Sequence, residues 1–565
     1  MKIGLFGKLA KCSMHRRMAT ATRLLSTNNF DKLDNKQSVR PVGRDTGITV
    51  YDVTSKSKVP LLMENESHLK WYACGPTVYD DAHIGHACFF VRGDIIRRIL
   101  SQIFNINVVY IMNLTDIDQK IVDRAAKDNQ TTEQIANHYT DKVYENFKRL
   151  NILPAIICKV TDYIPAIIRF IQRLIDNGSA YATTQGNVYF RCSLDAGYGS
   201  RLHTGSNENA LEKSLGDKED AKDFVLWKAC DPSETVWESP WSQGRPGWHI
   251  ECSTIASEMF GNSVDIHSGG ADLIFPHHEN ELAQCCSYHQ KEHWVKYWIH
   301  TGLLRLADDT NKMSKSLGNV MTIDSLLERY TADQFRIFCL LSRYYTDVEF
   351  SDDIMKKSTK IHRKLTSLVS SAERYINNVD RGEALNATLL SRSLSLTQKT
   401  VREALADNFD TPKAMSAVMN LVHVCNIELN KREPNPYSQA GDSSRVDSVA
   451  ACKSYIETIM PQLGVNVSVR QIEKSSLHNS QQFSQVVDSV VSFRRRVREF
   501  SLGDSTIGVS AEEKRRIQNH RKSNAPLLNA CDQIRHELSS LSQIDIQDAK
   551  DGRSYWKVAE RKPRD

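Results

Sequence analysis

Residues 69–112 read LKWYACGPTVYDDAHIGHACFFVRGDIIRRILSQIFNINVVYIM and predict a strand, a helix and a second strand. The first strand stops at Gly75-Pro76, because this pair favours a turn. A helix follows from about residue 86 to 103, where apolar side chains recur at helical spacing, and Val108 to Met112 is typical of a buried parallel strand. We therefore predict an α/β chain with a Rossmann-like, doubly wound parallel sheet. Such sheets bind ligands at the carboxyl ends of their strands, where Cys74 and Thr115 fall.

Two short strings carry side chains that can hold phosphate oxygens: His83-Ile84-Gly85-His86 and Lys312-Met313-Ser314-Lys315-Ser316. Either string alone is weak evidence, because a loop of Lys and Ser is usually solvated surface. Their order and spacing suit two halves of one nucleotide fold that close over a single ATP. Together they resemble the two signature strings of the class I aminoacyl-tRNA synthetases, and this resemblance implies an enzyme that handles phosphate groups, in which ATP meets His83, Gly85, His86, Lys312 and Lys315.

The composition is that of a globular chain. Of the 565 residues, 40% are hydrophobic and 25% are charged, and this length predicts about two to four domains. The best candidate for a membrane span, residues 151–175, is interrupted by Lys159, Asp162 and Arg169, so no membrane association is expected. The net charge of +5 does not by itself argue for nucleic acid, and the thirteen scattered cysteines predict a reducing compartment without a disulfide framework.

The N-terminal segment, residues 1–30, differs from the rest of the chain. It is rich in Ser and Thr and has no acidic residue before Asp31. This composition resembles a mitochondrial transit peptide and predicts import into the mitochondrial matrix; the alternative is a basic tail without a targeting role. Met18 offers a second start that would leave a shorter segment of the same character. The cations of the segment are Lys2, Lys8, Lys11, Arg16, Arg17 and Arg23.

Changes in pattern divide the remaining chain. An amphipathic helix over residues 165–177 and a polar loop over residues 203–223 predict an insertion that interrupts the sheet. Long helical periodicity covers residues 354–377 and 397–430. The tail from residue 481 has 16 Lys and Arg against 12 Asp and Glu, an excess that suits either a solvated face or an RNA contact. We predict that residues 45–160 and 245–350 form the two halves of the catalytic domain, with a connective insertion at residues 161–244 between them. Residues 351–480 are predicted to form a helical bundle, and residues 481–565 a C-terminal RNA-binding region.

Four residues in separate strings are candidate metal ligands. His277 and Glu281 are four apart after Pro276, which fits the first turn of a helix, so both would project from one face. Cys74 ends a predicted strand, and Cys252 follows Trp248-His249-Ile250-Glu251. Two thiolates, an imidazole and a carboxylate form a plausible zinc set. Each residue alone has a commoner explanation, a buried apolar Cys or a surface His/Glu pair, and spacing does not tie the four together.

The strings at residues 76–86, 244–253, 272–281 and 312–316 together resemble those of cysteinyl-tRNA synthetases, a class I aminoacyl-tRNA synthetase family, in content and order. The likeness covers roughly residues 45 to 425 and is weaker beyond. With the N-terminal segment, the mitochondrial type is the nearest match. The chain departs from the family pattern at Ser268, where a third glycine is usual, and at Gln119, where a second Asp is common.

The resemblance implies a class I fold with an inserted connective domain and a helical anticodon-binding region. It implies zinc held by Cys74, Cys252, His277 and Glu281. It also places Thr115, Trp248 and Asp272 around the bound cysteine. His83, His86, Lys312 and Lys315 would serve catalysis with ATP and Mg²⁺, and the expected partners are L-cysteine, ATP and tRNA(Cys), bound by a monomer.

Two other functions fit part of the pattern. A ligase that joins cysteine to an amino-sugar would share the sheet and the zinc set, but the long C-terminal region argues against it. A synthetase-like protein that binds zinc and RNA without catalysis would not need His83, His86, Lys312 and Lys315, which are all present. The sequence does not decide whether the chain also makes cysteine persulfides.

Overall fold

The computed structural model describes most of the chain from Gly43 onward. The described residues are 43–195, 197–202, 216–231, 234–306, 321–377, 385–431, 444–468, 477–502, 511–542, 544–548 and 554–558. The predicted transit segment lies outside them, as do Lys312 and Lys315 and most of the predicted loop at residues 203–223.

A five-stranded parallel sheet forms the centre of the fold. The chain enters it after a hairpin of β1 (Arg44–Asp52) and β2 (Ser57–Met63), and the strand–helix–strand prediction is confirmed by β3 (Leu69–Ala73), α1 (Ile84–Arg98) and β4 (Val108–Leu114). Helix α1 continues as a π-helical turn, Ile99–Ile103. After α2 (Gln119–Asp128) and α3 (Thr132–Arg149), β5 (Ile156–Lys159) closes one edge of the sheet.

Two apolar cores cover opposite faces of this sheet, because successive side chains of a strand point to opposite sides. On β3, Trp71 and Ala73 enter one core, whereas Tyr72 and Cys74 enter the other. The apolar composition of these strands follows from burial on both faces. Cys74 therefore leaves the sheet already buried on the side opposite α1.

The region predicted as an insertion contains a small antiparallel sheet. It begins with α4 (Ile164–Asp176), close to the predicted helix, and continues through β6 (Ala180–Ala182), β7 (Val188–Phe190), β8 (Phe224–Ala229) and β9 (Gly244–Pro246), which pair in that order. The parallel sheet then resumes with α5 (Trp248–Phe260), β10 (Val264–Gly270), α6 (Glu279–His289) and β11 (Val295–Thr301), so that its order is β11-β10-β3-β4-β5.

Helices dominate the rest of the chain. A parallel strand pair, β12 (Leu304–Leu306) with β13 (Val348–Phe350), encloses α7 (Ile323–Arg329) and α8 (Ala332–Leu340). A bundle follows of α9 (Asp352–Ile376), α10 (Ala387–Ala406), α11 (Thr411–Leu429) and α12 (Ser444–Gln462). The C-terminal region has α13 (Leu477–Leu502), α14 (Ala511–Ser523), α15 (Ala525–Ser542) and an antiparallel pair, β14 (Ile544–Asp548) with β15 (Ser554–Val558).

The prediction of one helical stretch over residues 397–430 is wrong, because the chain turns sharply between α10 and α11. Asn408 and Phe409 have φ angles of 53° and 54°, outside the right-handed helical region. The Asn408 side-chain oxygen accepts hydrogen bonds from the Tyr51 backbone N–H and the Tyr344 hydroxyl, each at 2.9 Å. Asp410 then caps α11 by accepting from the Lys413 N–H. This corner joins the helical bundle to the edge of the catalytic region.

No helix among the described residues is long and apolar enough to cross a membrane.

Candidate functional site

The structure brings together the four predicted metal ligands. Cys74 follows β3 directly, Cys252 lies in the second turn of α5, His277 lies in a turn before α6, and Glu281 lies in the first turn of α6. All four are at least 96% buried, since their exposed fractions are 4%, 1%, 1% and 0%. Residues from three segments of one sheet and its helices thus converge behind the carboxyl end of β3.

The separations of the four donor atoms fit a tetrahedral zinc ion. Two sulfurs bound to one zinc at tetrahedral angles lie about 3.8 Å apart, and a sulfur and a nitrogen lie about 3.5 Å apart. The Cys74 Sγ is 3.8 Å from the Cys252 Sγ, 3.5 Å from the His277 Nε2 and 3.5 Å from the Glu281 Oε1. His277 Nε2 and Glu281 Oε1 are hydrogen-bonded at 3.0 Å and would separate by about 0.4 Å around the ion.

Electrostatics favour ionisation of two of the four candidate ligands in spite of burial, whereas burial raises the pKa of the Cys74 thiol. Burial alone would raise the pKa of Glu281, but the charges and hydrogen bonds of His267 and His277 lower it to about 2. Burial likewise opposes ionisation of Cys252, yet the hydrogen bond from Cys74 and the neighbouring His277 lower its pKa. A carboxylate and a thiolate are the forms that bind a divalent cation, whereas His277, whose pKa the neighbouring Glu281 and Cys252 raise to about 10 despite burial, would have to lose a proton on binding one.

Two histidines that were not predicted from the sequence form hydrogen bonds with the candidate ligands on the side away from the other donor atoms. His267 Nε2 lies 2.9 Å from Glu281 Oε2, which leaves Oε1 facing the other donors. His249 Nδ1 lies 2.8 Å from His277 Nδ1, which leaves Nε2 free to face them. Such outer contacts orient metal ligands in proteins. Both histidines stand in or near the strings quoted above, but only the fold shows which atoms they contact.

A second donor set overlaps the first and consists of Cys74, His267, His278 and Glu281. It fits one zinc less well, because His267 contacts the second carboxylate oxygen of Glu281, and His278 Nε2 is 4.0 Å from the first. His278 Nδ1 is hydrogen-bonded to His300 Nε2 at 2.7 Å. Gly269 is needed here, because a Cβ at that position would lie 2.5 Å from the His278 ring.

The turn that carries His277 differs from the predicted one. The Phe275–Pro276 peptide is cis, and α6 begins at Glu279 rather than at Pro276. His277 and Glu281 still face each other, with His277 Nε2 3.0 Å from Glu281 Oε1, because His278 and Glu279 have helical backbone angles although Phe275 is extended. The expectation that both ligands share one face is therefore confirmed, although the helix starts later.

The insertion is hydrogen-bonded to α6 at residues that lie between the candidate ligands His277 and Glu281 in the sequence. The Glu279 carboxylate, 1% exposed, accepts backbone N–H groups of Gly199, Arg201 and Leu202 at 2.9, 3.4 and 3.0 Å. The Tyr198 hydroxyl donates to the Asn280 side-chain oxygen at 2.6 Å. A buried carboxylate needs such donors, so the insertion and α6 form one packed unit at this point.

The predicted cysteine-binding residues lie around this cluster. The Trp248 ring stacks on the His277 imidazole, with ring centroids 4.4 Å apart, and 42% of Trp248 remains exposed. Thr115 follows β4, and its hydroxyl donates to the Glu251 carboxyl at 3.0 Å. Asp272 lies in the short turn after β10, at the same edge of the sheet. An amino acid bound with its side chain pointing towards the four donor atoms would contact the Trp248 ring, which lies between the cluster and solvent.

His83 and His86 form a stacked pair at the N-terminus of α1. Their ring centroids are 3.8 Å apart. His83 caps the helix, since its Nδ1 accepts from the Gly85 and His86 N–H groups at 3.1 and 3.4 Å. Helix N-termini attract phosphate, because unpaired N–H groups and the helix dipole present positive charge there. This position fits the predicted contact with ATP.

The segment that begins at residue 321 lies beside the His83–His86 pair. Met321 accepts the Ile84 N–H at 2.9 Å, and the Ile323 N–H donates to Ala82 at 3.0 Å. These bonds flank a bridge between His83 and Thr322. Lys312 and Lys315 lie outside the described residues, so their predicted contact with phosphate stays a prediction.

Comparisons with known proteins agree with these features. The family model described as tRNA synthetases class I (C) catalytic domain matches residues 61–360. A probable mitochondrial cysteine–tRNA ligase of Xenopus tropicalis is 42% identical over 92% of this chain and 91% of its own length. A cysteine–tRNA ligase of Encephalitozoon cuniculi is 36% identical over 90% of this chain and 98% of its own.

Solved structures support the fold. A methionyl-tRNA synthetase of Mycobacterium tuberculosis bound to methionyl-adenylate has a TM-score of 0.54, with 17% identity over 70% of this chain and 92% of that one. At this identity the likeness concerns the fold alone. It agrees with a parallel sheet that is followed by helices.

Proposed function

This chain belongs to the cysteine–tRNA ligases of the class I aminoacyl-tRNA synthetases, and we propose that Cys74, Cys252, His277 and Glu281 hold a zinc ion at which cysteine is distinguished from serine. The enzyme joins cysteine to tRNA at the expense of ATP. The observation that supports the zinc proposal is the set of donor separations, 3.8, 3.5 and 3.5 Å from the Cys74 sulfur.

Serine is the competitor that the site must reject. It differs from cysteine by one atom, and apolar pockets discriminate such pairs by only about 10²-fold. Zinc, when bound, would supply a cation that prefers sulfur to hydroxyl oxygen. The chain's own residues then fix the amino acid: the Trp248 ring covers the side chain, and Thr115, held by Glu251, borders the pocket. We propose that Asp272 completes this pocket.

Activation of cysteine requires stabilisation of the negative charge on the phosphate oxygens of ATP. The cysteine carboxylate attacks the α-phosphorus of ATP, and the bond to pyrophosphate breaks; a ribose hydroxyl of the terminal tRNA adenosine then takes the cysteinyl group from AMP. His83 and His86 stabilise charge on the phosphate oxygens at the start of α1, where Gly85 lets the nucleotide approach the backbone. Lys312 and Lys315 hold the departing pyrophosphate together with Mg²⁺.

The reaction can be tested with pyrophosphate exchange for each of the twenty amino acids. We expect exchange with cysteine and at least about 10³-fold lower kcat/KM with serine, because discrimination at a thiolate-binding metal exceeds the limit of about 10² for an apolar pocket. Serine exchange equal to that of cysteine would refute the zinc proposal. Absence of exchange with any amino acid would instead favour a protein that binds zinc and RNA without catalysis.

We propose that residues 481–565 bind the anticodon of the tRNA. Phe493 and Phe500, 65% and 63% exposed, are seven residues apart on α13 and so share a face. The Phe500 ring contacts His520 of α14 at 5.5 Å between centroids, next to Arg521 and Lys522. Exposed aromatic rings beside cations suit unpaired bases, which stack on rings while phosphates meet the charges.

The double variant Phe493→Ala/Phe500→Ala is expected to raise the KM for tRNA at least about 30-fold, since it removes two aromatic rings and base stacking contributes about 1–3 kcal/mol on each. Cysteine-dependent pyrophosphate exchange should not change, because it needs no tRNA. Leu396→Ala is a matched control, as Leu396 is an equally exposed apolar residue on α10 at 66%. An unchanged KM for tRNA in the double variant would contradict the assignment.

We further propose that the enzyme is a monomer of the mitochondrial matrix. The mitochondrial name of the Xenopus tropicalis relative and the cationic, acid-free segment of residues 1–30 support the location. Fusion of residues 1–30 to a fluorescent protein tests the targeting, with a fusion lacking the six cations as its control.

A further inference from the structure

A buried network of hydrogen bonds joins the carboxyl ends of β3 and β4 to the first turn of α5. The Gly75 N–H donates to the Asn113 Oδ1 at 2.7 Å, and the Asn113 Nδ2 donates to the Thr115 Oγ1 at 3.2 Å. The Thr115 hydroxyl in turn donates to the Glu251 Oε2 at 3.0 Å. Only 2%, 1% and 2% of Asn113, Thr115 and Glu251 are exposed, so all three side chains are held inside the protein.

The network begins and ends beside the two candidate thiol ligands. Gly75 follows Cys74 directly, and Glu251 precedes Cys252 directly. Thr115 lies between these two ends, and both its backbone N–H and its C=O are hydrogen-bonded to the segment that follows β3. A cysteine whose sulfur meets the candidate ligands therefore has its α-carbon near the carboxyl ends of β3 and β4, where the Thr115 hydroxyl is fixed.

The partners of Thr115 determine the direction of its hydroxyl proton. A backbone N–H can only donate, which assigns the oxygen of the Asn113 amide to Gly75 and its NH2 group to Thr115. The Thr115 proton must then point to Glu251. Burial raises the pKa of Glu251, and a carboxyl keeps an accepting oxygen in either protonation state. Among the described residues, the second lone pair of the Thr115 oxygen has no partner, so Thr115 can accept one more hydrogen bond but cannot donate one.

Cysteine offers one group that fits an acceptor in this place. Its thiol is assigned to the four donor atoms and its carboxylate, which only accepts, to the phosphate of ATP, so the α-ammonium group remains. We propose that Asn113 is a positioning residue that, together with Glu251, directs a lone pair of Thr115 towards the α-ammonium group of cysteine. This inference rests on the proposed function. Asn113 does not touch the substrate; it aligns Thr115 in advance, so that binding does not have to reorient the hydroxyl.

The proposal predicts selectivity for cysteine over its deaminated analogue. 3-Mercaptopropionate has the thiol and the carboxylate of cysteine but no amino group, so it is a probe for this contact. In the wild type it should compete weakly with cysteine, because a buried acceptor that receives no donor costs binding free energy.

The variant Asn113→Ala tests the role of the amide. We expect the KM for cysteine in pyrophosphate exchange to rise about tenfold, since the Thr115 hydroxyl would lose the partner that aligns it with a charged donor. The kcat should stay within about twofold, because the ammonium contact is made equally in the ground state and the transition state. The inhibition constant of 3-mercaptopropionate should also stay within about twofold, since this probe has no ammonium group. The zinc content should equal that of the wild type.

Two variants at Glu251 test the same hydroxyl from its other side. Glu251→Met has a similar length but no strong acceptor, and it is expected to raise the KM for cysteine about as much as Asn113→Ala. Glu251→Gln keeps an accepting oxygen and is expected to hold the KM within about threefold of the wild type.

Asn408→Ala is the matched control. Asn408 is also a buried amide, 4% exposed, with two hydrogen-bond partners, but it lies at the corner between α10 and α11. Its replacement should lower the melting temperature and leave the KM for cysteine and the inhibition constant of 3-mercaptopropionate unchanged.

Equal rises in the KM for cysteine and in the inhibition constant of 3-mercaptopropionate would overturn the proposal, because the variants would then disturb the whole pocket. Unchanged constants in Asn113→Ala and Glu251→Met would overturn it too, as would a loss of zinc from Asn113→Ala. If Asn113→Ala does not fold, the Glu251 variants decide, and equal KM values for Met and Gln at this position would refute the proposal. Failure of the proposed function has a different signature, namely a wild-type enzyme without cysteine-dependent exchange.

Discussion

Cys252→Ser is expected to remove bound zinc and to lower kcat/KM for cysteine activation by about 10³-fold or more. The Cys252 sulfur lies 3.8 Å from the Cys74 sulfur inside a buried cluster. A serine hydroxyl is a poor zinc ligand at neutral pH, so only three donors would remain. Loss of a group that merely orients a ligand already costs about 10–100-fold in metal affinity or activity, and loss of a direct ligand costs more.

Two measurements on the same preparation decide this prediction: zinc content by mass spectrometry and pyrophosphate exchange with cysteine. Cys286→Ser is the matched control, because Cys286 lies on α6 but belongs to neither candidate donor set. Replacement of zinc by cobalt gives a third readout, since thiolate ligands produce a charge-transfer absorption that should weaken in the variant. Full activity in a protein without metal would mean that the four residues are not the selecting ligands.

The sequence predicted the elements of this site better than their contacts. Cys74 could be placed at the end of a strand because an apolar run ended at Gly75-Pro76, and His277 and Glu281 could be paired because they are four apart. Nothing local joins those two places, which are about two hundred positions apart in the chain. Only the family resemblance predicted their association, which in the structure follows from the parallel pairing of β3 with β10.

The residues that sequence reasoning missed act through geometry alone. His267 and His249 contact ligands 14 and 28 positions away, with no periodicity that marks them. The break between α10 and α11 was missed for another reason: apolar spacing continues on both sides of it. Asp410-Thr411-Pro412 did offer a local signal, since Asp is a favoured helix cap and Pro a favoured first-turn residue.

His86→Asn is expected to lower kcat for pyrophosphate exchange by about 10²- to 10³-fold, the usual cost of removing one group that stabilises transition-state charge. The KM for cysteine should stay within about twofold, because the effect is confined to a charge that develops at phosphate in the transition state. His86 is preferable to His83 for this test. The His83 ring caps α1 by accepting hydrogen bonds from two backbone N–H groups, so its removal would also destabilise the start of the helix.

Asn at position 86 keeps a side-chain acceptor near the His83 N–H, which donates to the His86 Nδ1 at 3.3 Å in the wild type. A loss of activity therefore reports on the imidazole and its contact with phosphate rather than on the start of the helix. His138→Asn, on the exposed side of α3, controls for the loss of a histidine elsewhere in the catalytic domain. If kcat stays unchanged, or if the KM for cysteine rises in proportion to the loss, His86 does not stabilise the transition state at phosphate, and the stacked pair serves only to cap α1.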